Sequence, residues 1–451
     1  MNSGLIEVRR RSLDQKLLHF PKAVAVTFIT RLVMLAGALG TSITVGRWLG
    51  AEGVGSLAVI NVTVALGVQL GCFGLPSANT YFISRNRNDL ARIWSNAFLF
   101  ALVAGVLIAI LIVVTARLRP TAFGQVTPWL ITIAASSLPF QLIMLLGLNI
   151  FLAVGQISRF NFTEAAYQLA LLVNALVALV ALRSGLQTLV SLNAGLAVAT
   201  GVIIVLVVRH VAKNIGEKSS WFDLTTFRKT LRYGLKFHIA VVSAIVIVRA
   251  DLLLVNHFRG PKEAGVYAVA GQMANLLMLF PAVIATLLFP RTSADPDPQA
   301  RLTMRVTRHT AFILLIVCLA AIPFSFAVPL IYGSAFENST LQLLILLPGV
   351  YLFGIESVLV QHFTGSGLPL PIPLFWIGVV ICNLALNMMF IPTYGATAAA
   401  ITSSFTYALI FLLVAIYFRV KTGNNLLSAL VLQREEMRAL IRPARLGLFS
   451  E

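Results

Sequence analysis

The sequence has 451 residues, of which 58% are hydrophobic and only 11% are charged, and its mean hydropathy is +0.90. Soluble domains carry about 25% charged residues, so this composition excludes a soluble globular protein and indicates a chain that folds in lipid. The 34 Lys and Arg residues outnumber the 16 Asp and Glu residues, and the net charge of +18 is typical of proteins bound to nucleic acid or to anionic lipid.

Apolar segments of about 20 residues, the length that crosses the hydrocarbon core of a bilayer, recur along the whole chain. In the first half they lie near residues 24–46, 54–84, 93–115, 127–150, 163–182 and 186–208. In the second half they lie near residues 237–258, 265–289, 309–331, 340–362, 372–391 and 396–418. The pattern predicts an all-α polytopic membrane protein with about twelve transmembrane helices. The length of the second span indicates either an interfacial extension or a kink near Gly74 and Pro76.

The distribution of basic residues predicts the orientation, because short cytoplasmic loops collect Lys and Arg. With the N-terminus inside, 26 of the 34 basic residues lie in inner segments, six lie in outer loops, and only Arg31 and Arg249 lie within spans. Both termini are therefore predicted to be cytoplasmic. Orientation and contact with anionic headgroups explain the charge excess, so membrane lipids are expected partners and nucleic acid is not.

The longest inner loop, 209–236, divides the chain into two sets of six spans. The motif GSLAV at 55–59 opens the second span, and GVYAV at 265–269 opens the eighth, 210 residues later. This repeat indicates a duplication in which both halves have the same orientation, with a site expected between them. The predicted organisation is a basic cytoplasmic segment 1–22, six-helix lobes 23–208 and 237–418, a cytoplasmic linker 209–236 and a basic cytoplasmic tail 419–451.

The motifs of several common catalytic and metal sites are missing. There is no GxxxxGK[ST] phosphate loop, GxSxG elbow or HExxH pair, so ATP hydrolysis, serine hydrolysis and zinc proteolysis have no visible apparatus. Cys72, Cys318 and Cys382 fall in apolar runs without a Cys-x-x-Cys or Cys/His cluster, which indicates neither a disulfide framework nor a zinc site. We expect a protein that is not an enzyme and that uses no metal or cofactor.

Ionisable side chains within the predicted spans are the sharpest functional clue, because each costs a few kcal/mol to insert and usually faces a cavity or a partner. Arg249 and Asp251 lie in the seventh span but project about 200° apart, so each needs a separate partner. His238, Arg249 and Asn256 fall within about 20° of one line along the helix. This polar stripe predicts a binding site for an anionic headgroup, since Arg suits phosphate oxygens. A buried network that only packs helices together is the alternative.

Arg31 and three acidic residues complete the candidate set. Arg31, in the first span, can reach the inner headgroups or line the same cavity as the stripe. Asp251 and Glu356 are candidates for ion coupling, because a desolvated carboxylate can take up a proton on one side of the membrane and release it on the other; a static partnership with Arg is the alternative. Glu164 is a third coupling candidate, unless it is merely interfacial.

Motifs occur in order along four of the predicted spans. Arg31 is followed by GRWLGAEGVG at 46–55, and FGLP at 73–76 is followed by Arg85. DLLL at 251–254 is followed by AGVYAVA at 264–270. The first two resemble the opening and the end of the second span of bacterial polysaccharide flippases, the O-antigen and exopolysaccharide branch of the multidrug/oligosaccharidyl-lipid/polysaccharide exporter superfamily. The third is similar to that family's Asp-x-x-Leu-Leu…Gly-x-Tyr-x-x-Ala pattern.

The resemblance implies two six-helix lobes around a central cavity. It also implies a flippase that moves polyprenyl-diphosphate-linked oligosaccharide repeat units from the inner to the outer leaflet of the bacterial cytoplasmic (inner) membrane, by alternating access without ATP. The repeat units would serve O-antigen, capsule or exopolysaccharide synthesis, with a polysaccharide polymerase and a chain-length regulator as further partners.

Three other functions are alternatives to a polysaccharide flippase. A lipid II flippase of the same superfamily typically has two additional helices, which this chain lacks. A cation-coupled multidrug exporter has twelve spans but takes cationic cargo, for which a membrane Arg stripe is a poor match. A polysaccharide polymerase would need a substantial outer loop carrying catalytic residues, and the sequence contains none.

Overall fold

The computed structural model describes residues 2–214, 222–294, 300–365, 369–425, 430–432 and 436. Within these ranges the chain is helical and contains no strand, as expected for apolar segments that must satisfy every backbone polar group internally in lipid. Parts of the predicted linker 209–236 and of the predicted tail 419–451 lie outside the described residues. The prediction of an all-α polytopic membrane protein is confirmed.

Fourteen helices follow one another along the described chain. The first seven are α1 Asn2–Gly71, α2 Leu75–Arg85, α3 Leu90–Leu118, α4 Pro128–Ser136, α5 Leu138–Ala153, α6 Ile157–Ala175 and α7 Leu186–Asn214. The others are α8 Leu224–Arg259, α9 Pro261–Leu277, α10 Leu279–Ala294, α11 Arg301–Ser325, α12 Val328–Tyr332, α13 Glu337–Gly365 and α14 Pro371–Thr422. A π-helical stretch, Leu176–Ala181, extends α6.

Ten helical stretches of the described chain are long and apolar enough to cross a membrane. Two of them contain a glycine with non-helical backbone angles, Gly50 (φ 64°) in α1 and Gly395 (φ 62°) in α14. Glycine is the residue that adopts this left-handed region without a side-chain penalty. Each glycine lies between two predicted spans, so counting the segments on either side separately gives the twelve spans that hydropathy predicts.

Several predicted spans are divided internally. The second is interrupted between α1 and α2, where Phe73 (φ 47°) and Gly74 (φ 72°) both have left-handed angles, so the predicted kink at Gly74 is present. The fourth span divides at Ser137 into α4 and α5, and the eighth divides at Met278 into α9 and α10. Pro76, Pro139 and Pro281 follow these three breaks, because proline fits the first turn of a helix but not its interior.

The chain forms two compact units. The first comprises Met1–Val242 with Gly260–Gly265, and the second comprises Ser243–Arg259 with Val266–Glu451. The boundary therefore falls inside α8, which continues unbroken through the end of the predicted linker. The predicted lobe limits at 208 and 237 stay a prediction.

Small residues allow the helices of the first unit to pack closely. A β-carbon on Gly105 of α3 would overlap Pro139 of α5, and one on Gly201 of α7 would lie 2.9 Å from the β-carbon of Phe140. Such small residues are common at helix contacts in membranes, where dispersion rather than water exclusion favours association. They bring α3 and α7 against α5, whose Leu142 and Leu146 are fully buried.

The two copies of the sequence repeat contact each other within the first unit. A β-carbon on Gly55 would overlap the carbonyl oxygen of Pro261 and lie 2.8 Å from the amide nitrogen of Gly265. In return, a β-carbon on Gly265 would overlap the carbonyl oxygen of Ala51 and lie 2.8 Å from the amide nitrogen of Gly55. Ala51 and Pro261 are separated by the same 210 residues as the two glycines, so the contact is reciprocal. We call it the glycine crossing.

The beginning of α8 is held to α3 by a side-chain clamp. The buried amide of Asn96 donates to the carbonyl oxygen of Asp223 (2.9 Å) and accepts from its N–H (2.8 Å). The Asp223 carboxylate in turn caps α8 by accepting from the N–H of Thr225 (3.0 Å) and from the hydroxyl of Thr226 (2.6 Å). The hydrogen bond from Thr226 lowers the pKa of Asp223. This clamp holds the part of the predicted linker that begins α8 against α3 within the first unit.

Candidate functional site

Asp251 lies at the centre of a buried polar cluster in the second unit. Only 2% of this residue is exposed, and the position on α8 directs it toward α9 and α14. Its Oδ2 accepts hydrogen bonds from the hydroxyl of Tyr267 in α9 and from the hydroxyl of Ser403 in α14 (2.9 Å). Its Oδ1 accepts from the N–H of Leu252 (2.7 Å). Three donors therefore compensate the desolvation of this carboxylate.

A second set of buried polar side chains lies along α14 beside this cluster. The amide of Asn383 donates to the hydroxyl oxygen of Thr406 (3.0 Å), and the amide of Asn387 donates to the side-chain oxygen of Asn383 (3.0 Å). Thr406 donates back to the carbonyl oxygens of Thr402 (2.9 Å) and Ser403 (3.1 Å). These bonds join the two segments of α14 across Gly395 and reach Ser403, the donor to Asp251. The cluster is thus connected to an interhelical network.

Arg249 and Asp251 lie on different sides of α8, as their spacing predicts. Asp251 is buried, whereas Arg249 is exposed and forms no ion pair within the described part of the chain. The two residues therefore do not form a lateral salt bridge. Arg249 interacts electrostatically with Asp251 without forming an ion pair, and its planar set of donors suits a phosphate or a carboxylate.

The other members of the predicted stripe have different surroundings. His238 is in the part of α8 that belongs to the first unit, where it is nearly buried and stacks on Phe73 with ring centroids 5.7 Å apart. Asn256 belongs to the second unit and is 1% exposed. Arg249 is the exposed member of the three, and their joint role in binding stays a prediction.

Arg31 and Glu164, which the sequence assigns to separate roles, lie next to each other in the first unit. Nη2 of Arg31 lies 3.2 Å from Oε2 of Glu164, and their side chains are 39% and 21% exposed. Gly37 and Gly40 on α1 allow α6 to approach, because β-carbons there would lie 3.3 Å from Gln168 and 3.1 Å from Leu172 of α6. Each charge therefore has a partner inside the same helix pair.

Glu356 lies in α13 and is 1% exposed. Its Oε1 has no hydrogen-bond partner among the described residues, in contrast to the three donors around Asp251. One oxygen of Glu356 therefore lacks the donor that each oxygen of Asp251 has. No group of three His, Cys, Asp or Glu side chains suited to a metal ion occurs in the described ranges.

Sequence reasoning did not identify two members of the Asp251 cluster. Tyr267 lies in the repeat motif that opens the eighth span, and its conspicuous signal is a hydroxyl in an otherwise apolar segment. Ser403 is 152 residues from Asp251 in the chain, and the signal is a group of four hydroxyl residues among positions 402–406 within a span. Neither signal indicates a partner, because the contacts arise only when the helices pack.

The long apolar helices define a multi-pass membrane protein. A family model described as polysaccharide biosynthesis protein matches residues 44–341. This match covers most of the chain, and the chain belongs to that family.

One relative and several solved structures are also similar. An uncharacterised membrane protein of Methanocaldococcus jannaschii is 23% identical over 253 residues, which are 54% of this chain and 48% of that protein. This chain thus spans about half the length of the curated relative it matches. The lipid II flippase MurJ in an inward closed conformation aligns with a TM-score of 0.74 and 15% identity, over 90% of this chain and 89% of that one.

Two further structures have the same fold. A multidrug resistance transporter of the MATE family in an inward-facing conformation aligns with a TM-score of 0.70 and 13% identity, over 89% of this chain and 98% of that one. A MOP superfamily transporter from Pyrococcus furiosus aligns with a TM-score of 0.64 and 14% identity, over 89% of this chain and 96% of that one. At these identities the similarity establishes the fold, not the cargo.

Proposed function

We propose that this protein is a flippase that moves polyprenyl-diphosphate-linked oligosaccharide repeat units from the inner to the outer leaflet of the cytoplasmic membrane, for synthesis of a surface polysaccharide. The observation that carries the proposal is Arg249, an exposed guanidinium in a predicted membrane span that forms no ion pair with the described residues of this polysaccharide biosynthesis family member. An intramembrane charge of this kind is retained when a ligand or pathway uses it. A negatively charged ligand would supply the direct ion pair that the described residues do not.

A diphosphate headgroup fits this requirement. Its oxygens can accept paired N–H donors from Arg249, while the polyprenyl tail stays in the bilayer. His238 and Asn256, on the same line of α8, are proposed as further headgroup contacts. Arg31 is also retained as a contact, although its ion pair with Glu164 (3.2 Å) means that a ligand would have to compete with that carboxylate.

The energy for the proposed outward step can come from the membrane potential. Moving one elementary charge across 100 mV is worth about 2.3 kcal/mol, so a doubly negative headgroup moving outward from a negative interior gains up to about 4.6 kcal/mol. Coupling to a proton or sodium ion at Asp251, Glu356 or Glu164 is the alternative source. Asp251 has the donors that stabilise a charge, whereas Glu356 has an oxygen without one.

The test is Arg249→Ala in a strain that depends on this gene for its surface polysaccharide. We expect the variant to reach the membrane at a normal level and the surface polysaccharide to be lost, because the headgroup loses its fixed cation. Arg183→Ala is the matched control, since Arg183 is also exposed but lies in a predicted outer loop. Normal surface polysaccharide with Arg249→Ala would refute the role of Arg249.

The same strains separate the two other functions that this fold supports. A lipid II flippase would be required for cell-wall synthesis, so its loss would cause lysis rather than loss of a surface glycan. A multidrug exporter would change resistance to cationic drugs. We expect the deletion strain to keep its cell wall and its drug resistance while losing the polysaccharide.

A further inference from the structure

A stack of aromatic and cationic side chains joins α2 to α8 in the first unit. The rings of Tyr81 and Tyr233 are parallel, with centroids 4.5 Å apart and an interplanar angle of 17°. The guanidinium carbon of Arg85 lies 4.3 Å from the centroid of the Tyr81 ring. Tyr81 and Arg85 are about one helical turn apart in α2, so the helix places the ring and the guanidinium side by side.

Phe82 extends the same cluster toward a second cation. Its ring meets those of Tyr81 and Tyr233 edge to face, with centroids 5.1 and 5.6 Å apart. The ammonium nitrogen of Lys229 lies 4.8 Å from the centroid of Phe82. Arg85 from α2 and Lys229 from α8 are therefore fixed on one aromatic cluster, which we call the tyrosine cluster.

Among the described residues the two cations have no acidic partner. Neither Arg85 nor Lys229 forms an ion pair in the described part of the chain, and both are exposed. Arg228 and Arg232, which flank Lys229 on α8, are exposed as well. A cation held over a ring loses little of its capacity to donate hydrogen bonds, because the N–H groups of a guanidinium lie in its own plane. The ring thus orients Arg85 and leaves its donors available.

The location of the tyrosine cluster indicates the kind of anion. Arg85 opens the predicted inner segment 85–92, and Lys229 lies in the predicted inner segment 209–236, so both belong to the predicted cytoplasmic surface. The aromatic rings are half-buried at the end of a membrane helix, which is the level of lipid headgroups. At this level the abundant anion is a phosphate attached to a lipid.

We propose that the tyrosine cluster is a binding site for the phosphate of a lipid headgroup at the inner membrane surface, with Arg85 as the oriented donor and Lys229 as the second cation. The phosphate has two possible sources. One is an anionic phospholipid, and the other is the diphosphate of a prenyl-linked substrate before it is flipped. The second source rests on the proposed function, whereas the first is independent of it.

The experiment measures lipid binding to the purified full-length protein by native mass spectrometry. The probes are phosphatidylglycerol, a long-chain prenyl diphosphate and, as a neutral reference without a phosphate, diacylglycerol. Arg85→Gln removes the oriented charge and is expected to weaken binding of a phosphate probe about tenfold, the loss that corresponds to one charged hydrogen bond. Arg117→Gln is the matched control, because Arg117 is also exposed in the last turn of a helix but lies in a predicted outer segment.

A pair of tyrosine variants tests the orienting role of the ring. Tyr81→Leu keeps every charge but removes the surface that holds Arg85, whereas Tyr81→Phe keeps that surface. We expect Tyr81→Leu to weaken phosphate binding several-fold and Tyr81→Phe to leave it unchanged. Equal binding by the wild type, Tyr81→Leu and Arg85→Gln would overturn the proposal and leave the cluster as packing between α2 and α8.

The probes also identify the source of the phosphate. If Arg85→Gln loses binding of phosphatidylglycerol alone, the site belongs to a resident phospholipid. This result would stand even if the protein were not a flippase. If the variant loses binding of the prenyl diphosphate alone, the site serves substrate capture. If it loses binding of both probes, the site recognises lipid phosphate in general. All three results support the proposal.

Discussion

Replacing Asp251 by asparagine is the most informative change in the second unit, because it removes the charge and keeps the shape. The carboxylate accepts from three donors, namely the hydroxyls of Tyr267 and Ser403 and the N–H of Leu252. An amide oxygen can face the N–H of Leu252 while its NH₂ group donates to the two hydroxyl oxygens, since hydroxyls accept as well as donate. The packing therefore survives the substitution.

The expected cost to stability is small. Hydrogen bonds to a charged group contribute about 1.5–3 kcal/mol and neutral ones about 0.5–1.5 kcal/mol, but the variant no longer buries a charge. The two effects oppose each other, and we expect Asp251→Asn to change the free energy of unfolding by less than about 2 kcal/mol. Asp251→Leu, in contrast, leaves buried donors without an acceptor at about 1–3 kcal/mol for each. Asparagine, not leucine, is the substitution that separates charge from folding.

The assay combines thermal unfolding of the purified variant with the amount of surface polysaccharide in cells. If Asp251 couples transport to a cation, Asp251→Asn melts close to the wild type and produces no surface polysaccharide. Ser403→Ala is the control, because it removes one donor and keeps the carboxylate, so transport should be reduced rather than lost. A wild-type level of polysaccharide with Asp251→Asn would refute the coupling role and leave Asp251 as part of a static network.

Two further predictions concern the first unit. Gly265→Ala places a β-carbon inside the glycine crossing and should destabilise the protein by about 1–3 kcal/mol. Gly271 is the control on the same helix, because a β-carbon there would have no atom within 4 Å, and Gly271→Ala should be neutral or stabilising by up to about 1 kcal/mol. Equal melting temperatures of the two variants would contradict this prediction. Asn96→Leu removes both hydrogen bonds to Asp223 and should lower the free energy of unfolding by about 1–3 kcal/mol, as measured by thermal unfolding. Asn149→Leu is the control, because it loses only a hydrogen bond to its own helix, and it should lower the free energy of unfolding by less.

Hydropathy was sufficient to predict the class of fold and the number of spans. The length of an apolar segment can be counted from the sequence alone, because a span must match the thickness of the bilayer. The spans on either side of Gly50 and Gly395 therefore appear in the sequence as separate segments. The breaks at Ser137 and Met278 were not predicted, because a one-residue interruption hardly changes the hydropathy of a window. Proline two residues later is the available signal at Ser137, but proline also occurs inside α13 and α14.

The candidate site could be predicted only in part. Intramembrane charges are visible in a sequence because they are rare, so Arg249, Asp251 and Glu356 could be identified. Their partners could not, since Ser403 is distant in the chain and reaches Asp251 only through helix packing. The pairing of Arg31 with Glu164 was missed for the same reason: the sequence gives the two charges but not the contact between α1 and α6.

The glycine crossing has a consequence for how its sequence can change. Gly55 faces the backbone of Pro261, and Gly265 faces the backbone of Ala51, which is the reciprocal pattern of a two-fold dimer interface contained in one chain. The atoms that a new side chain would meet are carbonyl and amide groups, which every residue possesses. No substitution in one copy of the motif can make room for a larger residue in the other, so both glycines must be kept independently.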